Sequence, residues 1–199
     1  GLKAPKPVGF QQVAIADPGH PDISAAVWYP TSASPGFALL GLTGERVAAD
    51  GPVLGNHLPL IVMSHGTGGA SFSHADTALA LASSGFVVVA PMHTGDNFRD
   101  ESDVGKADWL INRERHVQRA IDMMTRTWKD KAHLDPQRIG FFGFSAGATT
   151  GLVAIGGKPD LSKIWSECSE HPEFVCKLTS PSAYRNAPLQ MWTSDRRIR

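Results

Sequence analysis

Several things are scarce in this 199-residue sequence, and each scarcity removes a class of function. Neither sign of charge is in excess, since 19 Lys and Arg offset 19 Asp and Glu. No basic field exists to gather phosphates, and no nucleic-acid partner is expected. Long hydrophobic runs are absent: the longest, around Leu60–Met63 and Phe86–Ala90, are far too short to cross a bilayer. Cysteine occurs only as Cys168 and Cys176, in a polar segment that contains Pro172. A disulfide closing this short loop is expected in an oxidising compartment, and two unpaired thiols in a reducing one. Neither cysteine has a partner motif that argues for metal or nucleophilic chemistry. The first residue is Gly1, not methionine, which fits a precursor whose signal peptide has been removed and a periplasmic or secreted location, although a trimmed chain would look the same. What is present is a 42% apolar composition, that of a globular enzyme.

Two strand candidates open the chain, Val8–Ala16 and Ile23–Tyr29, with Asp17-Pro18-Gly19 as the turn. Residues 30–57, rich in Gly, Ala, Ser and Pro, show no clear periodicity and read as a surface excursion. Short, fully apolar strands then alternate with helices, the pattern of a parallel sheet covered on both faces. The strands are Leu60–Met63, Phe86–Ala90 and Arg138–Phe142; the helices are Ser73–Ser84 with Gly85 as cap, Asp108–Lys129 and Ala148–Ile155. On the long helix, Leu110, Val117, Ile121, Met124 and Trp128 form one apolar stripe, read as core. Asp135-Pro136 reads as a turn, and beyond Gly156-Gly157 the periodicity is lost in a cap-like insertion at about residues 157–192.

Gly143-Phe144-Ser145-Ala146-Gly147 is a G-x-S-x-G pentapeptide set between a buried strand and a helix. A serine at such a sharp turn sits in strained backbone, so its neighbours must be glycine and its hydroxyl is exposed. The helix N-terminus beneath it directs N–H groups and positive dipole toward charge developing on a carbonyl oxygen. A second glycine-rich stretch, Ser64-His65-Gly66-Thr67-Gly68-Gly69, follows the Leu60–Met63 strand and could supply another donor. A phosphate loop is the other reading, but the lysine it needs is absent.

These two motifs together with Ala90-Pro91-Met92-His93-Thr94-Gly95-Asp96-Asn97, in this order, resemble the dienelactone-hydrolase-like branch of the α/β-hydrolases, near the platelet-activating-factor acetylhydrolases. The resemblance spans nearly the whole chain. It implies an α/β-hydrolase fold with a mostly parallel sheet and helices on both faces, and a carboxylic ester hydrolase without a cofactor; His65, His93 and Asp96 are conceivable metal ligands but lack a recognised ligand spacing, so no metal is expected. It makes Ser145 the nucleophile and the amides of Thr67 and Ala146 the oxyanion hole. His65 resembles the family's structural histidine, and Gly66, His93 and Asp96 fall beside the site as pocket or supporting residues. The Cys168–Cys176 loop is similar to the family's disulfide-bearing insertion.

In this fold the order is nucleophile, acid, histidine. Asp195 precedes the segment expected to form the next strand, Asp160 belongs to the insertion, and His171 sits between the two cysteines. The expectation is therefore a single, partial α/β-hydrolase domain over residues 1–199, the N-terminal portion of the fold. Its acid and base would lie outside the chain, in a second polypeptide or another part of the parent protein. The expected partner is a small-molecule ester, of a short-chain acid, a lactone or an acetylated phospholipid. A non-catalytic binding module, or an acyltransferase or peptidase on the same scaffold, are the competing readings.

Overall fold

Residue alternation in the central strands decides the architecture. In β5 (Leu58–Ser64) and β6 (Val87–Pro91), Leu60, Val62, Val87 and Val89 face one side of the sheet, whereas Met63, Val88 and Ala90 face the other, and all are buried. Strands apolar on both faces must be covered twice. Helix α1 (Ala75–Ser83) packs Ala75, Ala78 and Ala82 on one face, and α2 (Trp109–Asp122) packs Val117, Ala120 and Ile121 on the other. The computed structural model describes residues 5–41, 43–179, 181–185 and 192–199.

Seven strands form one mixed sheet in the order β3-β4-β1-β2-β6-β5-β7. β1 (Val8–Ile15) and β2 (Ile23–Pro30) are antiparallel, and β2 runs antiparallel to β6. β5 is parallel to both β6 and β7 (Leu134–Gly143), so the three strands that lead into the loops at residues 64–69, 92–97 and 144–145 all end on the same side. α1 ends in a Schellman cap: Gly85 has φ of 105°, its N–H donates to Ala82, and that of Phe86 to Leu81.

The structure corrects three of the sequence expectations. Residues 30–57 are not a plain excursion, because β3 (Gly36–Leu40) and β4 (Thr43–Ala49) form a hairpin and β4 pairs parallel with β1. Its pattern is inverted where the eye looks for alternation: Phe37 and Leu39 face outward, while Glu45 turns inward toward the Trp28 indole. Asp135-Pro136 lies inside β7 at a register shift opposite Leu58–Leu60, where the missing proline N–H is tolerated. The long helix stops being α-helical at Asp122 and continues over Met123–Thr127 as a π-turn, with the Trp128 N–H reaching Met123. That extra residue per turn lets the Trp128 indole donate to Gln11 and pack edge-on against Tyr29.

After the Ser145 turn comes α3 (Ala146–Ala154), then α4 (Ser162–Glu170) and α5 (Phe174–Leu178). The Cys168–Cys176 disulfide ties α4 to α5, with Cα atoms 5.6 Å apart. Part of the insertion expected at 157–192 falls outside the described residues. At the far edge of β7, Ile198 forms a parallel bridge to Ile139 and the Arg199 N–H donates to the Ile139 carbonyl.

Candidate active site

Ser145 is the N-cap of α3 and has φ of 53° and ψ of −119°, a backbone conformation that a residue with a Cβ adopts only under constraint. The constraint is packing. A Cβ at Gly147 would fall on the Ser64 and His65 carbonyl oxygens, and one at Gly143 on the backbone of Gly147. β7, the turn and the start of α3 are thus pressed against the end of β5 as closely as peptide backbones allow. Gly66 completes the approach: a Cβ there would lie 3.3 Å from that of Ser145. The serine itself is exposed.

Ser145, Ala146 and Thr67 line one cavity of about 310 Å³. Within the described residues, neither the Thr67 nor the Ala146 amide donates a hydrogen bond to the backbone, so two residues that line the cavity with Ser145 carry unengaged N–H groups. The remaining wall is largely apolar, from α2 (Trp109, Leu110), the start of the insertion (Leu161), α4 (Ile164) and α5 (Phe174, Leu178).

Beneath the Ser64–Gly69 loop lies a buried polar cluster built around Arg113, whose side chain is 1% exposed. Its guanidinium donates to Asp96 Oδ2 at 2.5 Å, to Ser64 Oγ at 3.2 Å, to the His65 carbonyl and, through Nε, to Thr150 Oγ1 at 3.1 Å. Burial pulls its pKa down against the opposing pull of Asp96. Asp96 in turn accepts from the Trp109 indole at 2.6 Å and from the Gly68 N–H at 2.8 Å, which fixes the glycine loop from below. His93 and Asp96 are therefore supports of the loop, and neither lines the cavity.

The buried imidazoles are fully engaged. His65 Nε2 accepts the His93 N–H at 3.1 Å, so its proton is on Nδ1, which donates to the Gly66 carbonyl at 2.7 Å. Burial lowers its pKa to about 4. His93 Nε2 meets Ser64 Oγ at 2.8 Å, and its Nδ1 shares one proton with His116 Nδ1 at 3.1 Å. Burial holds His93 well below the ordinary histidine value and His116 at about 3, with Arg113 and Arg115 respectively adding to the effect. None of the eight histidines of the sequence lines the cavity of Ser145. Among the described residues no three His, Cys, Asp or Glu side chains are grouped to hold a metal ion.

Sequence reasoning missed Arg113 and His116. Position 113 lies three residues after Leu110 and four before Val117, on the stripe itself, and a cation at an apolar stripe position was the available signal.

A sheet of this order, with a serine at a strained strand-to-helix turn over a glycine loop, is the α/β-hydrolase fold. Among solved structures the chain is similar to a ferulic acid esterase from Streptomyces cinnamoneus (TM-score 0.63, 21% identity, over 76% of this chain and 56% of that one). It is also similar to a hypothetical protein from Pseudomonas aeruginosa (TM-score 0.53, 20% identity, 84% and 47%) and a dienelactone hydrolase from Anabaena variabilis (TM-score 0.50, 18% identity, 74% and 56%). At these identities the likeness is one of fold, and the chain spans about half the length of these proteins. Residues 47–165, more than half of the chain, match the profile of the dienelactone hydrolase family, and the chain belongs to that family. No curated protein sequence matches it. Among the described residues no helix is long and apolar enough to cross a membrane.

Proposed function

We propose that this chain carries the nucleophile and oxyanion hole of a serine carboxylic ester hydrolase. The observation that carries the reading is the strained, exposed Ser145 sharing one cavity with the unengaged amides of Thr67 and Ala146. Ser145 Oγ adds to the ester carbonyl carbon while its proton passes to a base, and the N–H groups of Thr67 and Ala146 receive the oxyanion. Collapse breaks the ester C–O bond, the alcohol leaves with that proton, and water then releases the acid from the acyl-serine. With His65, His93 and His116 spent on the loop and no histidine at the cavity, the base and its acid come from residues outside this chain. Membership of the dienelactone hydrolase family and the likeness to an esterase fold support hydrolysis over transfer to an alcohol or an amide substrate. The disulfide supports a periplasmic or secreted location.

The test is covalent labelling with a small fluorophosphonate, read by intact mass. The expected result is one adduct that maps to Ser145 and is lost in Ser145→Ala. An unlabelled wild-type protein, folded by circular dichroism and supplied with the remainder of its parent protein, would leave a binding module as the better reading.

A further inference from the structure

We infer that the Ser145 cavity takes a neutral, apolar acyl group of medium length, on the order of eight to ten heavy atoms, and rejects acyl groups that end in a carboxylate. This rests on the reading of Ser145 as the ester-attacking residue. The size follows from the volume: about 310 Å³ against roughly 30 Å³ for each water-sized group.

The chemistry follows from where the wall's polar atoms point. Tyr184 and Trp109 present rings to the cavity, but the phenol donates to the Lys106 carbonyl at 2.8 Å and the indole to Asp96. Thr179 Oγ1 donates to the Val175 carbonyl at 3.0 Å, and the Pro159 carbonyl accepts from the Trp192 indole at 2.9 Å. Among the side chains, apart from Thr149, one turn along α3 from the serine, the polar groups left unengaged are at the Ser145 end: its hydroxyl and that of Thr67, with the amides of Thr67 and Ala146 on the same stretch. An acyl group therefore finds side-chain hydrogen bonds at its carbonyl end and almost none beyond it.

Charge points the same way. Asp160 is the only charged side chain on the wall among the described residues. It accepts from the Ser162 N–H at 3.1 Å and Ser162 Oγ at 2.6 Å, and these bonds hold its carboxyl below the usual carboxylate range. The wall thus offers an anion at its rim and no cation to pair with a second one. Phe174 and Val175, 72% and 47% exposed, stand at the mouth as apolar surface that a bound chain would cover.

Calorimetry on the wild-type chain with unreactive methyl ketones separates the possibilities, because binding needs no base. 2-Nonanone stands for an octanoyl group, 2-pentanone for butyryl and 8-oxononanoate for the carboxylate-ended chain. Each methylene buried is expected to tighten binding roughly 4-fold, so 2-nonanone should bind on the order of 100-fold more tightly than 2-pentanone. It should exceed 8-oxononanoate by a similar factor. Val175→Lys, at the exposed mouth, should bring the last two within about 10-fold by pairing the carboxylate. Equal affinity of the neutral and charged ketones, or no gain with length, overturns the inference even if fluorophosphonate labels Ser145. Length-dependent binding without labelling, when the chain is supplied with the residues that carry the base, overturns the hydrolase reading and leaves the pocket standing.

Discussion

Lowering the pH from 7 to 5 is expected to cost the folded chain about 4 kcal/mol through His65 and His116 alone. In the unfolded chain both titrate near the ordinary histidine value of 6.5; in the fold burial holds them at about 4 and about 3. Their folded pKa values are depressed, and the charged form is the protonated one, so the unfolded state takes up protons first as the pH falls. The stability they provide is complete above about 6.5 and drains away between there and the folded values. At pH 5 each contributes a loss of about 2 kcal/mol relative to pH 7. His93, lowered by burial in the same direction, adds to it, while Glu45 and Glu114, raised by burial, act in the opposite sense. Against the 5–15 kcal/mol typical of a folded domain, the effect is large. Urea melts at pH 7, 6 and 5 with m-values compared would read it, and His116→Gln should flatten the dependence by about 1 kcal/mol per pH unit. A midpoint that does not move between pH 7 and 5 would refute neutral burial of these rings.

Three further outcomes follow from the geometry around the serine. Gly147→Ala drives a methyl group into the Ser64 and His65 carbonyls, and should lower stability by about 3 kcal/mol or more in thermal melts. Ser145→Gly removes the side chain from a positive-φ position, so it should raise the melting temperature, by about 1 kcal/mol of stability, while abolishing fluorophosphonate labelling. Reduction of Cys168–Cys176 should leave the cooperative melt of the sheet in place but expose α5 to limited proteolysis, since closing so short a loop constrains α4 and α5 by about 2–3 kcal/mol.

How legible this chain was depended on whether one residue's pattern or several residues' meeting carried the information. β5, β6, the G-x-S-x-G turn and Gly85 each announce themselves within a few residues, and each is found where the sequence puts it. The β3–β4 hairpin was hidden because Phe37 and Leu39 point outward and Glu45 inward, which defeats alternation. The π-turn depends on Gln11, more than a hundred positions away, accepting the Trp128 indole. At the site, the serine and its flanking glycines could be read in order, but the network that supports them could not. Ser64, Asp96, Arg113 and Thr150 come from four separate elements, and only the stripe position of Arg113 hinted at the union.

That union bears on time as well as on geometry. For the Ser64–Gly69 loop to lift, Asp96 must release the Gly68 amide and Arg113 must release the His65 carbonyl, which would strip partners from a buried charge pair. Such a motion has no cheap first step. The Gly68 amide should therefore exchange its hydrogen nearly as slowly as the central strands, although it sits in a glycine-rich loop. The glycine loop beside Ser145 is then held in position before any ligand arrives.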